Sequence, residues 1–153
     1  EIELVEKLDA DHKTLITDSG ELSLWIPAAL KADFLGTTLY QRVRMPKGSL
    51  VSYAWLPPAF YKVRARLLGV SYEEFFIAEL QAEPWLQKND PKTATLEEIS
   101  ETLSLSIFKK NVSYAKKIGA SRVYFWGVEW WYFMKEKRND DSYWNLGMEV
   151  FKK

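Results

Sequence analysis

The sequence predicts an α/β protein built on a parallel sheet, and three observations carry that expectation. Four short runs are continuously apolar rather than alternating, the pattern of strands covered on both faces. Each run is followed by a stretch of helical periodicity, and repeated strand–helix order means parallel strands joined by crossover helices. The chain has 153 residues, 47% of them hydrophobic. That is enough for one core and too little for two domains of ordinary size, so residues 1–153 are expected to form a single domain.

The elements follow in order. The opening EIELVEKL has a helical pattern. The first strand is KTLIT (13–17), leading into DSGELSLWIPAAL. There Leu22, Trp25, Ile26, Ala29 and Leu30 recur at helical spacing, with Asp18 or Ser19 as the cap. ADFLGTTLY (32–40) is the second strand. A long connection containing Pro46, Gly48 and Pro57-Pro58 separates it from a helix with Phe60, Val63 and Leu67 on one face. The third strand is EEFFIAEL (73–80). After a polar loop, Thr95 and Glu98 have capping-box spacing and open a long helix. Its apolar face is Leu103, Ile107, Phe108, Val112 and Ala115, and Gly119 stands at its C-terminal end. RVYFWG (122–127) is the fourth strand, and Trp144, Met148 and Phe151 mark a last helix.

Composition removes several function classes. Lysine plus arginine and aspartate plus glutamate number 21 each, a balance that gives no electrostatic reason to expect nucleic acid as partner. No apolar run approaches the ~20 residues of a membrane span. Without cysteine there is no thiolate nucleophile and no Cys-ligated metal, and a single histidine, His12, in the polar turn DADHK, excludes a multi-histidine site. No cofactor is expected. The chain opens on Glu1 within a helical pattern, so it reads as N-terminally incomplete, and compartment is not legible.

Four βα units admit a small open doubly wound sheet or half of an eight-stranded barrel. The phosphate fingerprints GxGxxG and GxxxxGK are missing. Both architectures place their sites at the C-terminal ends of strands. Those ends carry Asp18, Ser19 and Glu21; Thr37, Thr38 and Tyr40; Glu79, Gln81, Glu83 and Trp85; and Trp126, Glu129, Trp130 and Trp131. Carboxylates beside aromatic rings suit neutral polyhydroxy ligands: sugars stack their apolar faces on tryptophan and give their hydroxyl edges to carboxylates. Glycoside hydrolysis uses two carboxyl groups.

The strand endings resemble strands five to eight of (β/α)8-barrel glycoside hydrolases with catalytic glutamates after strands four and seven. FFIAE matches the end of the seventh strand, and DFLGTTLY the sixth, at Asp33, Gly36 and Tyr40. VYFWG matches the eighth. Together DSGELSLW, ELQAEPW and WGVEWWYF are similar to uncharacterised bacterial cellulase-like proteins over essentially the whole chain. The resemblance implies four consecutive parallel βα units as half of a TIM barrel, and a retaining mechanism on a β-linked oligo- or polysaccharide. It makes Glu79 the nucleophile, with Tyr40 bonding and orienting it. Trp126 and Trp130 would stack on the sugar, while Gln81, Glu83 and Glu129 would bind its hydroxyls. The acid/base of that superfamily lies in an Asn-Glu pair, and no Asn-Glu dipeptide occurs here. The acid is therefore expected in an N-terminal half that this chain lacks, and the partner for the barrel is that half or a second copy.

Plainer roles stand beside these. Glu21 has the position of a first-turn helix acid, Glu83 of a solvated loop residue or an arginine's partner, and Glu129 of a structural acid. A non-catalytic carbohydrate-binding or self-associating half barrel is the alternative. Asp18 and Glu21 joining Glu79 and Glu83 around a metal is a remoter one.

Overall fold

The computed structural model describes residues 2–88 and 90–152. Its elements are α1 (Ile2–Leu8), β1 (Leu15–Asp18), α2 (Ile26–Lys31), β2 (Phe34–Leu39), β3 (Arg42–Arg44), β4 (Leu50–Ser52), α3 (Ala59–Leu67), β5 (Phe75–Gln81), α4 (Leu96–Thr102), α5 (Leu105–Ile118), β6 (Arg122–Trp126), α6 (Val128–Arg138) and α7 (Ser142–Phe151). Strands β1, β2, β5 and β6 make one sheet in that order, every pair parallel. These are the four expected strands, and the sheet is flanked by helices.

One face of the sheet packs on helices. Leu35, Leu39, Phe75, Ile77 and Leu80 join Trp25, Ala28, Tyr61, Ala65, Ala115 and Ile118 in a single buried cluster. The edge strands are less covered than their apolar composition suggested: β1 and β6 alternate between half-buried and exposed residues, and Leu15, Tyr124 and Trp126 stand 42%, 47% and 50% exposed. On this second face Phe34 stacks on Phe76 at 4.9 Å, and the Arg122 guanidinium lies over Phe76.

Four helical expectations change. The segment after β1 is a loop until Ile26, because Trp25 adopts a left-handed backbone (φ 63°) and Pro27 starts the helix. A side chain at Gly20 would collide with the Thr38 carbonyl, and the Trp25 indole donates to Ser19 O at 2.7 Å, so the loop folds tightly over the strand ends. Leu22 and Leu24 are left exposed, and Asp18 caps no helix; its carboxylate accepts from Ser19 N and Ser23 Oγ. In α3 the buried face is Tyr61 and Ala65, while Val63 and Leu67 point to solvent. The long helix breaks at Leu103, and Ser104 recaps α5 by accepting from Ile107 N. Finally, GVEWWYF is helix α6, with Trp130, Trp131 and Met134 buried.

The connection after β2 holds an antiparallel hairpin, β3–β4. Each of its strands has three residues, too short for a pattern of alternation to register. The hairpin forms one wall of the site.

Candidate functional site

Glu79 lies near the end of β5, one of the two strands paired on both sides. The register between β2 and β5 slips after Thr37, so that Thr38 pairs with Glu79. An irregularity of this kind re-aims a side chain at a strand end. The Tyr40 hydroxyl, just past β2, donates to Glu79 Oε2 at 2.8 Å. Burial, and then Glu79, push the Tyr40 phenol far above its usual range, so it stays a donor. Trp85 meets the Tyr40 ring edge-on at 5.6 Å between centroids.

These residues open on a cavity of about 480 Å³ whose walls also include Asp18, Glu21, Tyr53, Arg44 and Met45. The hairpin wall is tied to the Glu79 strand by Gln81. Its Oε1 accepts from Arg42 N at 3.2 Å, and its Nε2 donates to Arg42 O at 2.9 Å. An ion pair from Arg44 to Glu101 fastens the other end. On the opposite wall Glu21 accepts from the Tyr61 hydroxyl at 2.7 Å. Burial raises the Glu21 pKa against the opposing effects of Tyr61 and Arg64.

A second group gathers at the end of β6. Glu83 is half-buried, with its side chain over Gly127, where a Cβ would collide with it; Gly127 also has φ 89°. Burial first, and the nearby Glu129 second, raise the Glu83 pKa, while the Trp126 indole acts the other way. Glu83 also contributes to the upward shift of Tyr40, which links the two groups.

The expected site residues therefore separate. Tyr40 and Glu79 share the cavity, Glu83 sits with Trp126 at the end of β6, and Glu129 stands exposed in the first turn of α6. Two expectations are corrected by the geometry. Gln81 is fully buried with both amide atoms on the Arg42 backbone, so it orders the hairpin instead of facing a ligand. Trp130 is 4% exposed and stacks on Phe133 inside the second core cluster. A helix beginning at Val128 turns it inward, away from the surface that Trp126 occupies. The plainer reading of Glu21 also changes, since it lies outside any helix. Glu83 is not a solvated loop residue; its neighbours are Trp126 and Glu129. Among the described residues no cluster of three His, Cys, Asp or Glu is placed to hold a metal, against the remoter metal reading. No described helix is long and apolar enough to cross a membrane.

Sequence reasoning passed over Tyr53, Arg44 and Met45, which lie on or beside the undetected hairpin. It also gave Tyr61 no role, and the only signal was its spacing from Ala65. Comparison of the chain with known protein families, with curated proteins and with solved structures finds no match.

Proposed function

We propose that the chain is the C-terminal half of a (β/α)8-barrel glycoside hydrolase acting on a β-linked oligo- or polysaccharide, with Glu79 as nucleophile. The observation that carries this reading is the 2.8 Å bond from Tyr40 to Glu79 at the wall of a cavity, on the end of a central parallel strand. Glu79 attacks the anomeric carbon while the bond to the leaving oxygen breaks, and that oxygen takes a proton from an acid on the other half. Water then displaces Glu79 from the glycosyl ester, giving up its proton to the same group. Trp126, half exposed beside Glu83, offers the flat face on which a sugar stacks.

The barrel reading is supported by the consecutive order of four parallel strands and by the core cluster of helices on one face. The second face carries Leu15, Phe34, Phe76, Tyr124 and Trp126. The other half, or a second copy, would cover that face and pair the two edges.

The test uses an aryl β-glycoside whose leaving group is acidic enough to depart without protonation. The chain joined by its other half turns it over, Glu79→Gln does not, and azide restores turnover to Glu79→Ala as a glycosyl azide of inverted configuration. Full activity in Glu79→Gln overturns the assignment. Saccharide binding without turnover in any version makes the chain a binding module.

A further inference from the structure

A second cavity, of about 510 Å³, lies between the loop that follows β4 and helix α5. Three cations line it, Arg42, Lys110 and Lys117, and no carboxylate does. In a chain whose charges balance, this is a local excess of positive charge in a concave surface, where the field is focused. Among the described residues none of the three forms an ion pair. Lys110 and Lys117 are two helical turns apart and so share a face of α5. Arg42 is anchored by Gln81 through its backbone and donates from its guanidinium to Glu101 O.

Two further features point to a ligand. Gln41 lines the cavity and is 5% exposed. Its Nε2 is buried with no hydrogen bond of acceptable geometry, although the amide lies beside the Tyr114 phenol, whose pKa burial raises against the effect of Gln41. The Tyr114 hydroxyl donates its proton to Leu56 O at 2.6 Å. Folded proteins rarely leave a buried donor unused. Trp55, also in the lining, is 76% exposed, so its flat face is open to stack on a ring held by the polar groups beside it.

We infer that this cavity binds a small ring-bearing organic anion, its carboxylate or phosphate held by Arg42, Lys110, Lys117 and the Gln41 amide, and its ring laid against Trp55. The cations supply charge-assisted hydrogen bonds, the buried amide finds its acceptor, and the tryptophan distinguishes a ring from a bare ion. The inference stands apart from the proposed glycosidase activity, because none of these residues lines the Glu79 cavity.

Nuclear magnetic resonance of the uniformly 15N-labelled chain tests it by titration with glucose 6-phosphate, glucuronate, glucose and inorganic phosphate. A charged sugar should give saturable shifts of the Gln41 side-chain amide and the Trp55 indole, with glucose giving none. Inorganic phosphate should bind at least tenfold more weakly. Comparing glucuronate with glucose 6-phosphate tells a carboxylate ligand from a phosphate one. The double variant Lys110→Ala/Lys117→Ala, at two exposed positions, should lose at least tenfold in affinity with the remaining resonances unmoved. Trp55→Ala should bring glucose 6-phosphate down to the level of inorganic phosphate. The inference is overturned if neither charged sugar shifts Gln41 and Trp55 saturably. Equal binding of inorganic phosphate, or of glucose, overturns it as well.

Discussion

Two tyrosine–glutamate pairs flank the Glu79 cavity, with nearly the same hydrogen bond and different surroundings. Tyr61 is wholly buried among Trp25, Phe60 and Tyr114, and its hydroxyl reaches Glu21 at 2.7 Å. Tyr40 is half-buried at the rim and reaches Glu79 at 2.8 Å. A phenol in a core needs an acceptor, since burying it unbonded is costly, so Glu21 answers a need of Tyr61. At the rim water can satisfy either partner, and the bond fixes instead where the Glu79 carboxylate stands. One interaction serves packing in the first pair and orientation in the second.

The largest effect that separates the pairs is on turnover. With the other half supplied, Glu79→Gln should cost on the order of 10³-fold or more on the activated glycoside if Glu79 is the nucleophile proposed above. Glu21→Gln keeps the shape and an acceptor for Tyr61, so it should stay within about tenfold. Equal losses in the two variants would erase the distinction and make Glu21 part of the chemistry.

Stability should rank the pairs the other way. Tyr61→Phe strands a buried carboxyl group and should cost about 1–3 kcal/mol in urea unfolding, the usual penalty of an orphaned buried partner. Tyr40→Phe should cost less than about 1 kcal/mol, since water reaches the site. It should still lower turnover on the order of 10²-fold by letting Glu79 drift. If Tyr40→Phe is the more destabilising of the two, the rim pair is structural.

Stability against pH sharpens the contrast further. Burial raises the Glu21 pKa above its ordinary value of 4.5. In the window from 4.5 up to that raised value, the folded state holds a proton that the unfolded state has released. Stability is therefore greatest below the window and falls as pH rises through it. Glu83, raised in the same direction, adds to the fall. Urea midpoints measured across this range should decline less steeply in Glu21→Gln than in the parent, and an unchanged slope would show that Glu21 does not titrate there.

The same contrast explains what was legible in the sequence. The four strands announced themselves because an apolar run between turn residues has few other readings, and Glu79 was visible as a carboxylate ending such a run. Tyr40 was reached through its motif, whereas the Tyr61–Glu21 bond joins residues 40 positions apart, a separation on which no periodicity bears. The tryptophan cluster misled for a related reason. Trp126 and Trp130 are neighbours in sequence, but the chain changes from strand to helix at Gly127, and four residues across that change turn one ring outward and the other into the core. The hairpin left almost no signal, and with it went Gln81, whose amide reads as ligand-binding until Arg42 is seen to occupy it. Exposed Val63 and Leu67 carried the expected helical spacing on the wrong face, since a period fixes a stripe without saying which stripe is buried.

The smallest effect concerns the proton on Glu83. Two influences raise its pKa, burial first and the charge of Glu129 second, against the Trp126 indole. Glu129→Gln removes the charge and keeps the bulk, so the Glu83 pKa should move down, yet remain above the ordinary glutamate value because burial is untouched. Trp126→Phe should move it up by withdrawing the indole N–H. Carbon-13 titration of the side-chain carboxyls reads both shifts without any need for activity. The order of these shifts separates the rim from the core. At Glu21 the surroundings are packed around a buried phenol and no second carboxylate takes part, whereas at Glu83 an exposed neighbour adjusts the group from the solvent side. A Glu83 pKa that ignores Glu129→Gln would leave burial as its sole cause and make Glu83, like Glu21, a carboxyl governed by packing.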